Sequence, residues 1–250
     1  MTRILAGFSC ISGSNPGLPM DPITKELRKY ASREKAVVLQ GFFKTGPGEY
    51  AQGDKFIGVK APDIRKVSLK YSGLPEREVL GLLYSPVHEE RLLALSILIA
   101  RFSKAGEEER TGIFRLYLKN TRQINNWDLV DLSAPQIVGR YLADKDKKLL
   151  YGLAVSKSLW ERRIAIVSTL AFIRLNRFAE TLKIAAMLLK DKEPLIHKAA
   201  GWMLREVGKR SRKTEEGFLD KHALNMPRTM LRYAIERFPE AERRAYLSLR

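Results

Sequence analysis

A repeat of about 35 residues runs through this chain and constrains its fold more than any other feature. Aligned on Ala94, Val130, Ala165, Ala200 and Ala234, each copy spaces its apolar residues three and four apart, the mark of a helix with one buried face. The segments between the copies are also helical in period, and the alternation that marks strands does not recur. Helix pairs repeated at this length cannot bury their apolar faces alone, so they stack. The expected fold is all-α, an α-solenoid whose second helices line a concave surface. The longest irregular stretch is KTGPGEYAQGDKFIGVKAP, which ends in the helix-starting Pro62. Before it, TKELRKYASREKAVVLQGFF reads as one amphipathic helix.

Charge says what such a surface meets. The chain has 250 residues, of which 45 are Lys or Arg and 28 Asp or Glu, a net charge of +17. The basic residues are spread through the helices instead of forming a tail, which points to a polyanion partner. Two and three residues before each anchor stand Leu92 and Arg91, Asp128 and Trp127, Arg163 and Arg162, Lys198 and His197, Arg232 and Leu231. Stacking would turn these equivalent turns into a positive stripe. The same arginines could instead flank buried helix faces with their stems.

One copy breaks the pattern. The residue after each anchor reads Leu95, Asp131, Ile166, Gly201 and Ile235, so only the second copy is charged there. Trp127 lies four residues earlier, on the same helical face. Asp131 is too deep in its helix to serve as a cap, and an ionised carboxylate there needs solvent or a partner, such as Arg163 of the next copy. Alternatively it stabilises positive charge on a substrate, with indole faces lining the same cleft. Asp128, just after Asn125 and Asn126, suits the helix N-terminus. Trp160 and Trp202 recur beside charges at helical spacing, although a lone tryptophan is most often a core residue.

Other chemistries find no support. Cys10 is the single cysteine, so no internal disulfide forms, and His88, His197 and His222 are isolated in sequence. No metal or other cofactor is expected, and no phosphate loop, nucleophile elbow or zinc-protease motif is present. Residues 1–22 read as a flexible cytoplasmic leader without a convincing signal-peptide core, and residues 23–250 as one domain. No apolar run reaches membrane-spanning length.

FIGVKAPDIRKV, WDLVD, WERR, KAAGWMLRE and MPRTMLRYAIERFP, in this order, resemble the DNA alkylation repair glycosylase family, the AlkD-like proteins built of HEAT-like repeats. The likeness spans roughly residues 24 to 240. It implies excision of cationic N3- and N7-alkylated purines, such as 3-methyladenine and 7-methylguanine, from double-stranded DNA, without a cofactor and with the lesion left in the duplex. It also implies a monomer associated with the nucleoid. On that likeness Asp131 is the catalytic carboxylate, Trp127 and Trp202 are the cleft indoles, and Arg163 is an active-site arginine. Arg205 and Tyr50 then support the DNA, and Arg91, Arg162, Lys198 and Arg232 are candidate phosphate contacts. Lys60 departs from the family, which usually has glutamine there, so contacts that need the amide do not carry over. Two other readings stay open: a non-catalytic solenoid that binds DNA or structured RNA, and a protein-interaction scaffold, which would leave the charge unexplained.

Overall fold

A computed structural model describes residues 22–249; the expected leader falls outside them except for Pro22. The helices are α1 (Pro22–Arg28), α2 (Arg33–Phe42), α3 (Ala61–Lys70), α4 (Glu76–Leu83), α5 (His88–Lys104), α6 (Glu107–Lys119), α7 (Trp127–Ser133), α8 (Arg140–Leu142), α9 (Lys148–Ala154), α10 (Leu159–Ser168), α11 (Leu170–Arg174), α12 (Ala179–Met187), α13 (Pro194–Gly208), α14 (Arg212–His222), α15 (Arg228–Ala234) and α16 (Glu240–Ser248). Among the described residues the fold is all-α, and an isolated bridge between Lys55 and Val87 is the only extended pairing. Among the described residues no helix is long and apolar enough to cross a membrane.

The second helices pack in chain order, α5 on α7, α7 on α10, α10 on α13 and α13 on α15. All five anchors, Ala94, Val130, Ala165, Ala200 and Ala234, are fully buried along this row. Small anchors let the axes approach. At Gly201 the space is tighter still, because an added Cβ would stand 2.3 Å from the Met230 carbonyl oxygen of α15. Of the residues that follow the anchors, Leu95, Ile166, Gly201 and Ile235 are buried, and Asp131 alone keeps partial exposure. The charged exception in the repeat is thus the one copy that reaches solvent.

The segment TKELRKYASREKAVVLQGFF, expected as one helix, is broken in two. The chain turns at Tyr30–Ser32 between α1 and α2, and Ser32 Oγ caps α2 by accepting the Lys35 N–H at 3.4 Å. The Ser32 N–H meanwhile donates to the Ile57 carbonyl, tying α2 to the irregular loop. After α7, Pro135 lacks an N–H to continue the ladder, and Pro135–Gly139 forms a π turn closed by Gly139 N–H to the Ala134 carbonyl at 2.8 Å.

The loop of residues 43–60 carries the anticipated irregularity and is held from below. Glu89 is 2% exposed, and its carboxylate accepts the N–H groups of Ile57, Gly58 and Val59 at 2.7–3.3 Å. Gly58 has φ +80°, and a Cβ there would lie 2.0 Å from the Ser32 carbonyl oxygen, so both conformation and space require glycine.

Candidate active site

A cleft of about 680 Å3 opens where α7, α10 and α13 meet the loop after α2. Trp127, Asp131, Arg163, Lys198, Trp202, Arg205 and Tyr50 all line it, joined by Phe42, Lys44 and Tyr233. The residues come from places far apart in sequence, brought together by the row of stacked helices.

Asp131 projects from the middle of α7 toward α10. Arg163 Nε and Nη2 donate to its two carboxylate oxygens at 2.8 Å each, and Arg163 Nη1 donates to the Leu195 carbonyl at 2.5 Å. The arginine is 5% exposed, whereas the Asp131 side chain is 20% exposed, so the carboxylate rather than the guanidinium faces the cleft. Burial pushes the Asp131 carboxyl above the usual carboxylate range, and the Arg163 charge pulls it back. Two parallel bonds to a guanidinium, which has no acceptor and does not deprotonate, are those of the ionised acid.

Trp127 begins α7, with its N–H accepted by the cap Asn126 Oδ1 at 2.8 Å. Its indole N–H donates to Tyr50 Oη at 3.2 Å. One face stacks on Phe43 at 5.1 Å between centroids, and Phe42 meets it edge-on at 5.9 Å. Phe42 is 64% exposed at the mouth of the cleft. Trp202, across the cleft on α13, donates its indole N–H to Glu206 at 3.2 Å. Trp160 is packed against the main core and touches Tyr50 edge-on at 6.3 Å. It does not line the cleft, although like Trp127 and Trp202 it is only partly buried.

The positive stripe is thinner than the alignment suggested. Arg91 is 5% exposed and bonded to Asp54 at 2.7 Å, so it is interior and leaves the set of surface contacts. Arg162 is committed to Asp191 at 2.6 Å and to the Ser156 and Lys157 carbonyls, closing the turn before α10. Arg205 pairs with Glu236. Lys60, Lys198 and Arg232 are exposed, and Lys44, absent from the sequence reading, adds a cation at the cleft. The repeat frame therefore selects equivalent helix positions, but burial at those positions differs from copy to copy.

Asp128 does stand in the first turn of α7, where its Oδ1 accepts the Leu129 N–H at 2.8 Å. Its other oxygen lies 2.7 Å from His88 Nε2, a contact with no signal in the sequence. Phe42, Phe43 and Phe56, which build the wall behind Trp127, were equally silent, although an aromatic pair at the end of a helix followed by a Gly-rich loop was visible.

The described residues thus form an all-α stack with a carboxylate and two indoles in a cation-flanked cleft. The family model described as DNA alkylation repair enzyme matches residues 23–238, and the chain belongs to that family. Among solved structures, one described as a predicted DNA alkylation repair enzyme from Enterococcus faecalis superposes with a TM-score of 0.64 at 16% identity, covering 84% of this chain and 97% of that one. It shares the fold. No curated protein matches the chain.

Proposed function

We propose that this chain is a DNA glycosylase that excises cationic N3- and N7-alkylated purines from duplex DNA in base excision repair. The observation that carries this reading is Asp131, a carboxylate presented to a cleft between Trp127 and Trp202. An alkylated purine leaves as a neutral base, because it already bears the positive charge that protonation would otherwise supply. The barrier that remains is an oxocarbenium-like sugar. A fixed carboxylate stabilises that charge and orients the attacking water, and each indole face adds about 0.5–2 kcal/mol of cation–π attraction. Undamaged purines are poor leaving groups without a general acid, which gives the selectivity for cationic lesions.

Arg163 takes the role of holding Asp131 at its angle rather than gripping phosphate, since three of its donors are already used within the protein. Lys44 and Lys198 at the cleft, with Arg232 and Lys60 beyond it, are the proposed contacts to the DNA backbone, while Arg205 is paired with Glu236 and Tyr50 supports Trp127 from the loop. The cleft is open rather than closed over a pocket, which fits a lesion that stays stacked in the duplex.

The test is release of 3-methyladenine and 7-methylguanine from methylated duplex by the native protein, Asp131→Asn and Trp127→Ala. Release by the native protein and its loss in Asp131→Asn support the reading. A second reading, a non-catalytic DNA-binding member, draws on the Asp131–Arg163 bond as a purely architectural clamp between α7 and α10. Binding without base release by the native protein would favour it.

A further inference from the structure

Behind the cleft lies a buried cluster that the proposed chemistry does not use. His88, the first residue of α5, is 1% exposed. Its Nδ1 stands 3.0 Å from Asp54 Oδ2 and its Nε2 stands 2.7 Å from Asp128 Oδ2. A neutral imidazole carries one N–H and satisfies one carboxylate; serving two requires both ring nitrogens to donate.

The charged groups facing the ring come from three elements: Asp54 from the loop after α2, Arg91 from α5 itself and Asp128 from α7. Arg91 Nη2 is 2.7 Å from Asp54 and 3.5 Å from His88 Nδ1, and Asn126 Nδ2 adds a donor to Asp54 at 3.3 Å. With the ring protonated, two cations balance two carboxylates. Without that proton a buried carboxylate is left uncompensated.

The ring is also the inner end of an aromatic column. His88 stacks on Phe56 at 4.5 Å, Phe56 on Phe43 at 5.0 Å, and Phe43 on Trp127 at 5.1 Å, with interplanar angles of 21°, 19° and 16°. Trp127 is therefore tied to His88 twice, through the column and through its chain neighbour Asp128.

We propose that His88 is a positioning residue for the cleft: by bridging Asp54 and Asp128 and backing the Phe56–Phe43–Trp127 column, it fixes the first turn of α7 and the stance of Trp127 and Asp131 toward the duplex. This rests on the cleft being the site of base release. Burial alone pushes His88 down, but its bonds to Asp128 and Asp54 outweigh this and hold its pKa above the ordinary histidine value. The bridge is therefore complete below the ordinary histidine value of about 6.5 and is lost as pH rises through the higher folded value. Base release should fall on the alkaline side with it.

The test uses the full chain. Single-turnover release of 3-methyladenine is followed against pH for the native protein, His88→Gln and Asp128→Asn. In parallel, NMR follows the His88 ring and the Trp127 indole N–H, both assignable because the chain has three histidines and three tryptophans. The expected result is an alkaline limb whose midpoint equals the His88 titration and is tracked by the Trp127 indole resonance. Asp128→Asn, which keeps the imidazole and removes one counter-charge, should move limb and titration together by about one pH unit to lower pH. His88→Gln should abolish the limb and slow release roughly tenfold at pH 7; if it does not fold, Asp128→Asn carries the same test. A limb that stays in place in Asp128→Asn, or an indole resonance that ignores the His88 titration, overturns the proposal. If the native protein frees no base at any pH, the glycosylase reading fails, while the indole resonance still decides whether His88 positions Trp127.

Discussion

Asp131 and Arg163, 32 residues apart, meet in a two-pronged bond of 2.8 Å on each arm that joins α7 to α10 at the floor of the cleft. The bond leaves the carboxylate partly open while the arginine is sealed beneath it. In one contact, the structure supplies both the partner that a semi-buried acid needs and a fixed negative charge for the cleft.

Asp131→Asn removes that charge with little change of shape. Base release is expected to fall at least about 100-fold, the scale of losing one preorganised electrostatic contact. DNA affinity should hold or rise, because a negative group near phosphates disappears. Arg163 then loses its ionised partner, and stability drops by about 1–3 kcal/mol. Single-turnover assays, filter binding and urea melts separate the three effects. Unchanged release would remove Asp131 from the chemistry.

Trp127→Phe and Trp127→Ala divide packing from catalysis. Phenylalanine keeps the stack on Phe43 but loses the bond to Tyr50 and the larger π-face. Its expected cost is small in stability, with release slowed by about tenfold, the worth of a cation–π contact near 1–2 kcal/mol. Alanine opens the column and should also destabilise by about 2–4 kcal/mol. A thermal melt beside the rate assay tells them apart.

Acid should silence the site before it unfolds an ordinary carboxylate pair. Because burial raises the Asp131 carboxyl above its usual value, protonation begins at a higher pH than for an exposed aspartate. Release should therefore show an acid limb that begins above about pH 4, the ordinary aspartate value. A flat rate from neutral pH down to that point would contradict the assignment.

Glu215, remote from the chemistry, gives a separate pH test. It is 2% exposed, one of its oxygens has no partner, and burial pushes its carboxyl up to about 8. With a raised folded pKa the native state holds a proton that the unfolded chain releases near 4.5, so stability falls as pH rises between those values. Glu215→Gln should match the native protein at pH 5 and exceed it at pH 8.5, by at most roughly 4–5 kcal/mol at 1.36 kcal/mol per unit. Equal melts at both pH values would show that the group escapes its buried setting.

Salt dependence measures the positive track. With Arg91 interior and Arg162 committed to Asp191, the proposed contacts that are exposed are Lys44, Lys60, Lys198 and Arg232. Four phosphate contacts give a slope of log K against log salt of about −3.6. Charge-removing variants of Lys44 and Lys198 should each lessen it by about 0.9. A slope near zero would remove the backbone contacts altogether.

The helical period, the repeat and its lone charged exception were legible because a 3.6-residue pattern and a fixed repeat length are properties of local sequence. So was the grouping of Trp127, Asp131, Arg163 and Trp202, since stacking the second helices of neighbouring copies brings their residues side by side. Breaks in helices were less legible: Ser32 and Pro135 carry the signals, but whether a helix ends there depends on what its backbone meets.

Only the tertiary structure decided which of the equivalent positions are inside. Arg91 and Arg162 occupy like places in the repeat, yet one is buried against Asp54 and the other closes a turn on Asp191. His88 looked solitary in sequence and proves to join Asp54 and Asp128 from elements far apart along the chain. The sequence by itself determined the helices and the faces they bury, because those follow from spacing between near neighbours. The pairing of charges and the aromatic column behind Trp127 depend on how far each helix sinks against the next, and that depth is a balance of packing and desolvation over contacts distant in the chain.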